Sequence, residues 1–197
     1  MGRHREFDAD EALEQIVRAF WRQGYEGTSY TDLTAETGIE RPSLYAAFGN
    51  KQSMFLKALD RYFDEYWAYV PAALEQQTSK QVAEQLFNGA VDLATRYPDR
   101  PGCFGVNAAL AVSPESEAAR LALVDARAAG EGLIRQRLTG ALESGDLPGD
   151  ANPAVLAAYL MAVMHGIAVQ AKAGFPAATL SLVAAQALSG WPTGPAA

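Results

Sequence analysis

The side chains best suited to bind another molecule are concentrated in residues 41–51. Arginine pairs with guanine in the major groove of DNA, and a lysine at a helix N-terminus binds phosphate with help from the helix dipole. On the open side of a helix over this segment lie Arg41, Ser43, Tyr45 and Ala46. The segment therefore predicts a DNA contact in which Arg41 and Ser43 read base edges and Lys51 binds the backbone.

Two short helices joined by a glycine turn would position these residues. Ser29 and Asp32 have the spacing of a capping box, which predicts a helix over 30–37, and Gly38 supplies the left-handed residue that ends it. Pro42 fits the first turn of the second helix, where its missing N–H has no helical partner. The apolar positions fall on the other side of the pair, as in a helix-turn-helix. They are Leu33, Ile39, Leu44 and Phe48.

An ordered series of motifs runs from residue 24 to residue 56. It consists of Gly24-Tyr25-Glu26-Gly27-Thr28, Asp32-Leu33, Gly38-Ile39, Ser43-Leu44-Tyr45, Phe48, Lys51 and Phe55-Leu56. In this order and spacing, the series resembles the N-terminal domain of the TetR/AcrR family of transcriptional regulators. Pro42 and the pair Ala46-Ala47 depart from the usual residues of that family, at positions that often contact DNA. The resemblance implies that the Tyr45 hydroxyl contacts a phosphate.

The predicted DNA-binding residues come from three places: an N-terminal arm, the start of the first short helix, and the second short helix with the residue that begins the next one. The arm can reach a groove or a phosphate, although a solvated terminus fits it equally well. Backbone N–H groups at the start of the first short helix can face phosphate. The residues are Arg3, Arg5, Tyr30, Thr31, Arg41, Pro42, Ser43, Tyr45, Ala46 and Lys51.

Groups that could support catalysis are few. His4, His165 and Cys103 offer at most one nucleophile–base pair, and no third group is recognisable nearby. The chain has no Gly-rich phosphate loop, zinc-protease motif or calcium loop. We therefore predict that the protein is not an enzyme and uses no cofactor. Cys103 is either a small buried apolar residue or a sensor of oxidants and electrophiles, since a helix N-terminus and nearby Arg100 favour a thiolate.

Charge provides the main argument against DNA binding. The net charge is −7, and residues 1–60 hold seven Lys and Arg against ten Asp and Glu. Phosphate contacts usually dominate affinity for DNA, so we expect weak non-specific binding with a modest dependence on salt. The rival hypothesis is a helical ligand-binding or scaffold protein that has lost DNA binding. The charged N-terminus is unlike a signal peptide, and the apolar stretch 154–169 is too short for a membrane span, so we expect a cytoplasmic protein.

Helical spacing of apolar residues continues along the chain, and no segment requires a strand. We predict an all-α protein of about nine helices, with a three-helix DNA-binding domain over 1–50 and a ligand-binding and dimerisation domain over 51–197. A long fourth helix over 51–70 would act as a lever between them. It ends in five aromatic residues, which are either ordinary core or part of a site: Tyr62, Phe63, Tyr66, Trp67 and Tyr69.

The last two predicted helices are rich in alanine, and Lys172 is the only charged residue between Ala151 and Ala197. Helices that are apolar all round need cover on every side. We therefore expect them to form a homodimer interface, which the family resemblance also implies.

A cavity among the middle helices would bind a small apolar or aromatic effector. Its candidate polar contacts include His165, which is otherwise a hydrogen-bonded core residue. The predicted ligand-binding residues are Phe63, Trp67, Phe87, Cys103, Phe104, Asn107, Tyr159, Met164, His165 and Gln170. The function predicted from the sequence is that of a ligand-responsive, DNA-binding regulator. We expect it to be a repressor that a small molecule releases from a palindromic double-stranded operator.

Overall fold

The computed structural model describes residues 7–108 and 116–194, and within those ranges the chain is helical with no strand. The predicted all-α class is confirmed. Ten helices are present in the described ranges, one more than predicted. They are α1 (Ala9–Gly27), α2 (Tyr30–Thr37), α3 (Arg41–Phe48), α4 (Lys51–Glu65), α5 (Tyr69–Leu74), α6 (Ser79–Arg96), α7 (Phe104–Asn107), α8 (Glu117–Glu143), α9 (Pro153–Lys172) and α10 (Ala177–Ser189).

Local capping explains why α2 and α3 lie where the sequence predicted them. Ser29 accepts a hydrogen bond from the Asp32 N–H, and the Asp32 carboxylate accepts one from the Ser29 N–H, which completes the capping box. Gly38 ends α2 with φ 65°, a left-handed conformation that suits glycine. Pro42 lies in the first turn of α3.

The predicted fourth helix was wrong at its C-terminal end. It stops at Glu65, and after a turn over 66–68 the separate helix α5 begins at Tyr69. Pro71 does not terminate a helix, because it is the third residue of α5, where a missing N–H leaves no helical hydrogen bond unmade. The break places three aromatic residues, Tyr66, Trp67 and Tyr69, at a bend between two helices.

The buried side chains form two hydrophobic clusters. The first lies mainly among α1, α2, α3, α4 and α7, with contributions from α6 and α8, and includes Phe20, Trp21 and Phe55. The second lies among α5, α6, α8, α9 and α10. Among the described residues, only Trp67 and Tyr69 are partly buried and pack against both clusters. These two side chains therefore contribute to the apolar contact between the two clusters, together with Leu93 of α6 and Leu123 of α8, which are buried in the first cluster.

Helix α9 is twenty residues long and, by length and composition alone, apolar enough to cross a membrane. The sequence prediction treated this stretch as too short. In the structure α9 packs against α6, α8 and α10, and Leu160, Ile167 and Ala171 are buried there. A helix with this degree of packing behaves as a core helix, and its remaining apolar surface, shared with α10, faces outward.

Candidate nucleic-acid interface and internal cavity

Helix α3 presents one face to the core and the other to solvent. Leu44 and Phe48 are buried, whereas the Tyr45 side chain is 45% exposed. The exposed residues are among those that the sequence predicted to contact DNA, namely Arg41, Pro42, Tyr45 and Ala46. Ser43, which was also predicted, is half-buried. Thr31 is exposed at the start of α2. Arg3 and Arg5, the predicted arm, lie outside the described residues.

A chain of hydrogen bonds connects the two short helices with α4. The Lys51 backbone N–H, at the first position of α4, donates to the Tyr30 hydroxyl at 2.9 Å. The Tyr30 hydroxyl in turn donates to the Tyr45 hydroxyl at 3.2 Å, and the two rings are stacked with centroids 5.7 Å apart. Tyr45 acts as an acceptor in this chain. Its own O–H can therefore donate to a group outside the chain, since Tyr45 is exposed on α3.

Two cations are held over aromatic rings beside this chain. The Arg41 guanidinium lies 4.1 Å from the centroid of Tyr30, and the Lys51 ammonium lies 4.5 Å from that of Tyr25. Cation–π contacts limit the freedom of both side chains before any partner arrives. Partial burial lowers the pKa of Lys51, and the neighbouring Tyr30 and Glu26 oppose that change.

Several acidic residues of the N-terminal helices make internal contacts. Asp32 caps α2, and its pKa is lowered by the hydrogen bonds from Ser29. Glu36 pairs with Arg22 at 2.7 Å, and Asp10 pairs with Arg61 at 2.6 Å. Part of the negative charge of residues 1–60 is therefore paired with arginines, although Glu40 is exposed at the start of α3.

We expect Tyr30→Phe to lower both stability and affinity for DNA. The substitution removes the acceptor for the Lys51 N–H, while the Asn50 N-cap of α4 remains, and the loss of one hydrogen bond costs about 0.5–1.5 kcal/mol. Tyr45→Phe is the matched control, since it keeps that hydrogen bond and removes only the outer hydroxyl. Urea denaturation and operator titration of both variants measure the two effects. Equal stability of the two variants would show that this hydrogen bond does not stabilise α4.

One small cavity lies between the two hydrophobic clusters, with a volume of about 20 Å³, room for about one water molecule. Four predicted ligand-binding residues line it: Trp67, Cys103, Met164 and His165. Five further lining residues were not predicted: Tyr69, Ala90, Leu93, Ala94 and Ala168. From the sequence, Tyr69 was assigned only to the aromatic group at the end of the predicted fourth helix. The alanines could not be identified, because a small residue borders a cavity only after its helix has packed against others.

The other six predicted ligand-binding residues lie elsewhere among the described residues. Phe104 stacks on Tyr62 in the N-terminal cluster, and the Asn107 amide donates to the Trp21 carbonyl at 2.9 Å. Tyr159 is on the outer side of α9, where its hydroxyl donates to the Ala187 carbonyl at 2.9 Å. Helical spacing placed these residues near the middle helices but could not indicate which side each one faces. The remaining three, each outside the cavity wall, are Phe63, Phe87 and Gln170.

The cavity wall contains few polar groups. Burial lowers the pKa of His165 from its ordinary value of 6.5, and nearby Arg127 lowers it further. The Cys103 sulfur accepts a hydrogen bond from the Tyr62 hydroxyl at 3.0 Å. Burial raises the pKa values of Tyr62 and Tyr69. The cavity wall is therefore mainly apolar, with a few side chains that can form hydrogen bonds.

A cluster of aromatic and ionic contacts joins the cavity region to α1. The Trp21 ring meets Tyr62, Tyr66 and Tyr97 edge-on, with centroids 5.0–5.6 Å apart, and its N–H donates to the Gly102 carbonyl at 3.2 Å. The Tyr66 hydroxyl donates to Glu14 at 2.6 Å. Trp21 and Glu14 belong to α1, so these contacts connect the break after α4 with the helix against which α2 packs.

Comparisons with known proteins agree with this arrangement. Residues 12–58 match the family model for bacterial regulatory proteins of the tetR family, and residues 83–185 match that for the tetracyclin repressor-like C-terminal domain. The HTH-type transcriptional repressor ComR of Escherichia coli (strain K12) is 32% identical over 193 residues, which cover 97% of this chain and 92% of ComR. The regulator YezE of Bacillus subtilis (strain 168) is 35% identical over 164 residues, covering 81% of this chain and 84% of YezE.

A solved structure of similar sequence carries DNA. It is a cysteine-substituted form of the TetR family transcriptional regulator CifR in complex with 26-base-pair double-strand operator DNA, and it is 38% identical to this chain. The match covers 96% of this chain and 100% of that one, with a TM-score of 0.90. The same helices therefore occur in a protein whose DNA-bound state has been observed.

Proposed function

The chain belongs to the TetR family of bacterial regulatory proteins, and we propose that it is a repressor which a small molecule releases from a palindromic operator. It is a DNA-binding transcriptional regulator and not an enzyme. The observation that carries the proposal is the hydrogen-bond chain from Lys51 through Tyr30 to Tyr45, because it aims a hydroxyl donor out of α3. Such a donor suits a phosphate of the DNA backbone.

The proposed division of labour on DNA follows from the chemistry of each side chain. Arg41 and Ser43 contact base edges, Tyr45 and Lys51 contact phosphates, and Pro42 and Ala46 pack against the groove. The exposed N-terminus of α2, at Tyr30 and Thr31, faces the phosphate backbone. Arg3 and Arg5 are assigned to the arm on the basis of their charge alone.

We further propose that two copies associate through α9 and α10. These helices expose large apolar side chains to a degree that a monomer in water rarely tolerates. Leu182 is 72% exposed, and the others on this surface include Val155, Tyr159, Val169, Phe175 and Val183. Two copies would bring their α3 helices to half-sites separated by about one turn of DNA or a multiple of it. We propose a cytoplasmic location as well, because a regulator of this kind meets its operator on the bacterial chromosome.

Release requires two states of the dimer with different spacing of the recognition helices. An effector shifts the equilibrium only if it binds the DNA-incompetent state more tightly. The break between α4 and α5 is the element proposed to switch, because it adjoins the cavity and contacts α1 through Tyr66 and Glu14. A spacing of the two Tyr45 residues that did not change on effector binding would contradict this mechanism.

Selection of bound duplexes from a random DNA pool at two salt concentrations tests the function. We expect a palindromic consensus bound by a dimer. Arg41→Ala should lose about 1–3 kcal/mol of operator affinity and relax the preference at one base pair, whereas Lys51→Ala should weaken binding evenly across sequences. Arg96→Ala is the control, since that arginine is exposed at the end of α6 beside Asp92. Absence of any enriched sequence at low salt would favour the scaffold hypothesis instead.

A further inference from the structure

The cavity between the two clusters is nearly full, and the protein fills it with its own side chains. Trp67 and Tyr69 line the cavity, and they alone among the described residues pack against both clusters while remaining partly buried. About 20 Å³ of free volume remains, which is far below the roughly 300 Å³ at which small-molecule sites begin. An effector can enter this space only by displacing a side chain.

The two rings pack against glycine residues, which have no side chain to keep them at a distance. A Cβ atom built on Gly89 of α6 would lie 2.1 Å from Cδ2 of Tyr69, and one built on Gly130 of α8 would lie 2.9 Å from Cζ3 of Trp67. Both distances are shorter than any normal carbon–carbon contact, so each ring lies directly on helix backbone. The space between α6 and α8 is therefore shaped for planar rings.

The chemistry of the wall restricts what could replace the rings. None of the nine lining residues is an Asp, Glu, Lys or Arg. A charged ligand would therefore find no oppositely charged side chain among them, at a large cost in desolvation. Besides the two rings, Cys103 and His165 are the lining residues whose side chains can form hydrogen bonds.

We propose that Trp67 and Tyr69 occupy the effector site themselves, and that the effector is an uncharged planar ring compound with one polar edge which displaces them. This inference rests on the proposed function of the chain as an effector-responsive repressor. Displacement moves the turn at 66–68, because Tyr69 is the first residue after it. Through the Tyr66–Glu14 hydrogen bond, that movement reaches α1 and the DNA-binding helices.

Substitution of either glycine by alanine can displace the ring that packs against it, without any ligand. Gly89→Ala forces the Tyr69 ring out of its position, so we expect operator affinity to fall by roughly tenfold, as a typical allosteric coupling would give. Tyr69→Ala removes the ring, and the same glycine substitution should then have no effect on operator affinity. Gly132→Ala on α8 is the control, since a Cβ there meets nothing within 4 Å. An equal loss from Gly89→Ala in both backgrounds would overturn the proposal.

If Gly89→Ala does not fold, the same cycle is available at the milder contact, with Gly130→Ala in the wild-type and Trp67→Leu backgrounds. The expectation is again that the glycine substitution lowers operator affinity only while the large ring is present. A loss of equal size in the Trp67→Leu background would contradict the displacement of that ring.

Binding of a ring compound can be measured without DNA. Indole is the probe, and we expect it to bind the Tyr69→Ala variant roughly tenfold more tightly than wild type, because that substitution removes the ring and leaves the surface at Gly89 open. Calorimetry on both proteins gives the ratio, with indole-2-carboxylate as the charged counterpart that should not bind. Weaker or equal binding of indole to Tyr69→Ala would overturn the inference. A wild-type protein that selects no operator would instead contradict the proposed function, and the indole ratio would still be readable.

Discussion

Leu182→Glu is expected to convert the protein into a monomer and to lower its affinity for a palindromic operator by about 100-fold or more, because two linked half-site contacts become one. Leu182 is 72% exposed in the single chain and lies on α10, within the surface that α9 and α10 leave uncovered. A carboxylate at the centre of an apolar interface would be buried without a partner, which strongly opposes association.

Leu133→Glu is the matched control for this prediction. Leu133 is 52% exposed on α8, so the chemical change is the same at a site outside the proposed interface. Sedimentation and gel-shift titration of both variants give the mass in solution and the operator affinity. A Leu182→Glu protein that remained dimeric and bound its operator normally would rule out α10 as the interface, while a Leu133→Glu monomer would move the interface to α8.

Trp21→Ala should cost about 3–5 kcal/mol in free energy of unfolding, the range measured when large aromatic residues are truncated in cores. Trp21 is fully buried, and its ring lies against Tyr62, Tyr66 and Tyr97. The side chain thereby joins α1 to α4 and to the segment before α7. Trp21→Phe keeps an aromatic ring but loses the hydrogen bond to the Gly102 carbonyl, so a smaller loss is expected.

Urea denaturation at a fixed protein concentration measures this effect, and Trp191→Ala is the comparison. Trp191 is also buried and its indole N–H also has a partner, Ser79, but it belongs to the C-terminal cluster.

If the contacts of Trp21 transmit the effector signal, Trp21→Ala should abolish operator release by the effector at a temperature where both variants are folded. Normal release in that variant would show that Trp21 stabilises the fold without carrying the signal.

The bounds of α2 and α3 could be read from the sequence because both are decided within a few residues. A capping box at Ser29 and Asp32, a left-handed Gly38 and a first-turn Pro42 each act through neighbours in the chain. The exposed face of α3 followed for the same reason, since helical periodicity alone separates Leu44 and Phe48 from Tyr45. The prediction of a single helix over 51–70 was wrong because Pro71 can occupy the first turn of a new helix as readily as end an old one.

What the sequence alone determined is therefore the helical class, the helix-turn-helix and the side chains on its exposed face, all of which depend on local spacing. The tertiary structure decided that Tyr30 accepts a hydrogen bond from the first N–H of α4, that Glu36 and Asp10 pair with arginines, and that Trp67 and Tyr69 line the cavity. These facts depend on contacts between residues far apart in the chain, such as Tyr69 with Gly89 and Trp67 with Gly130. No periodicity within one helix encodes such a contact, because it exists only once two helices have packed at a particular distance and angle.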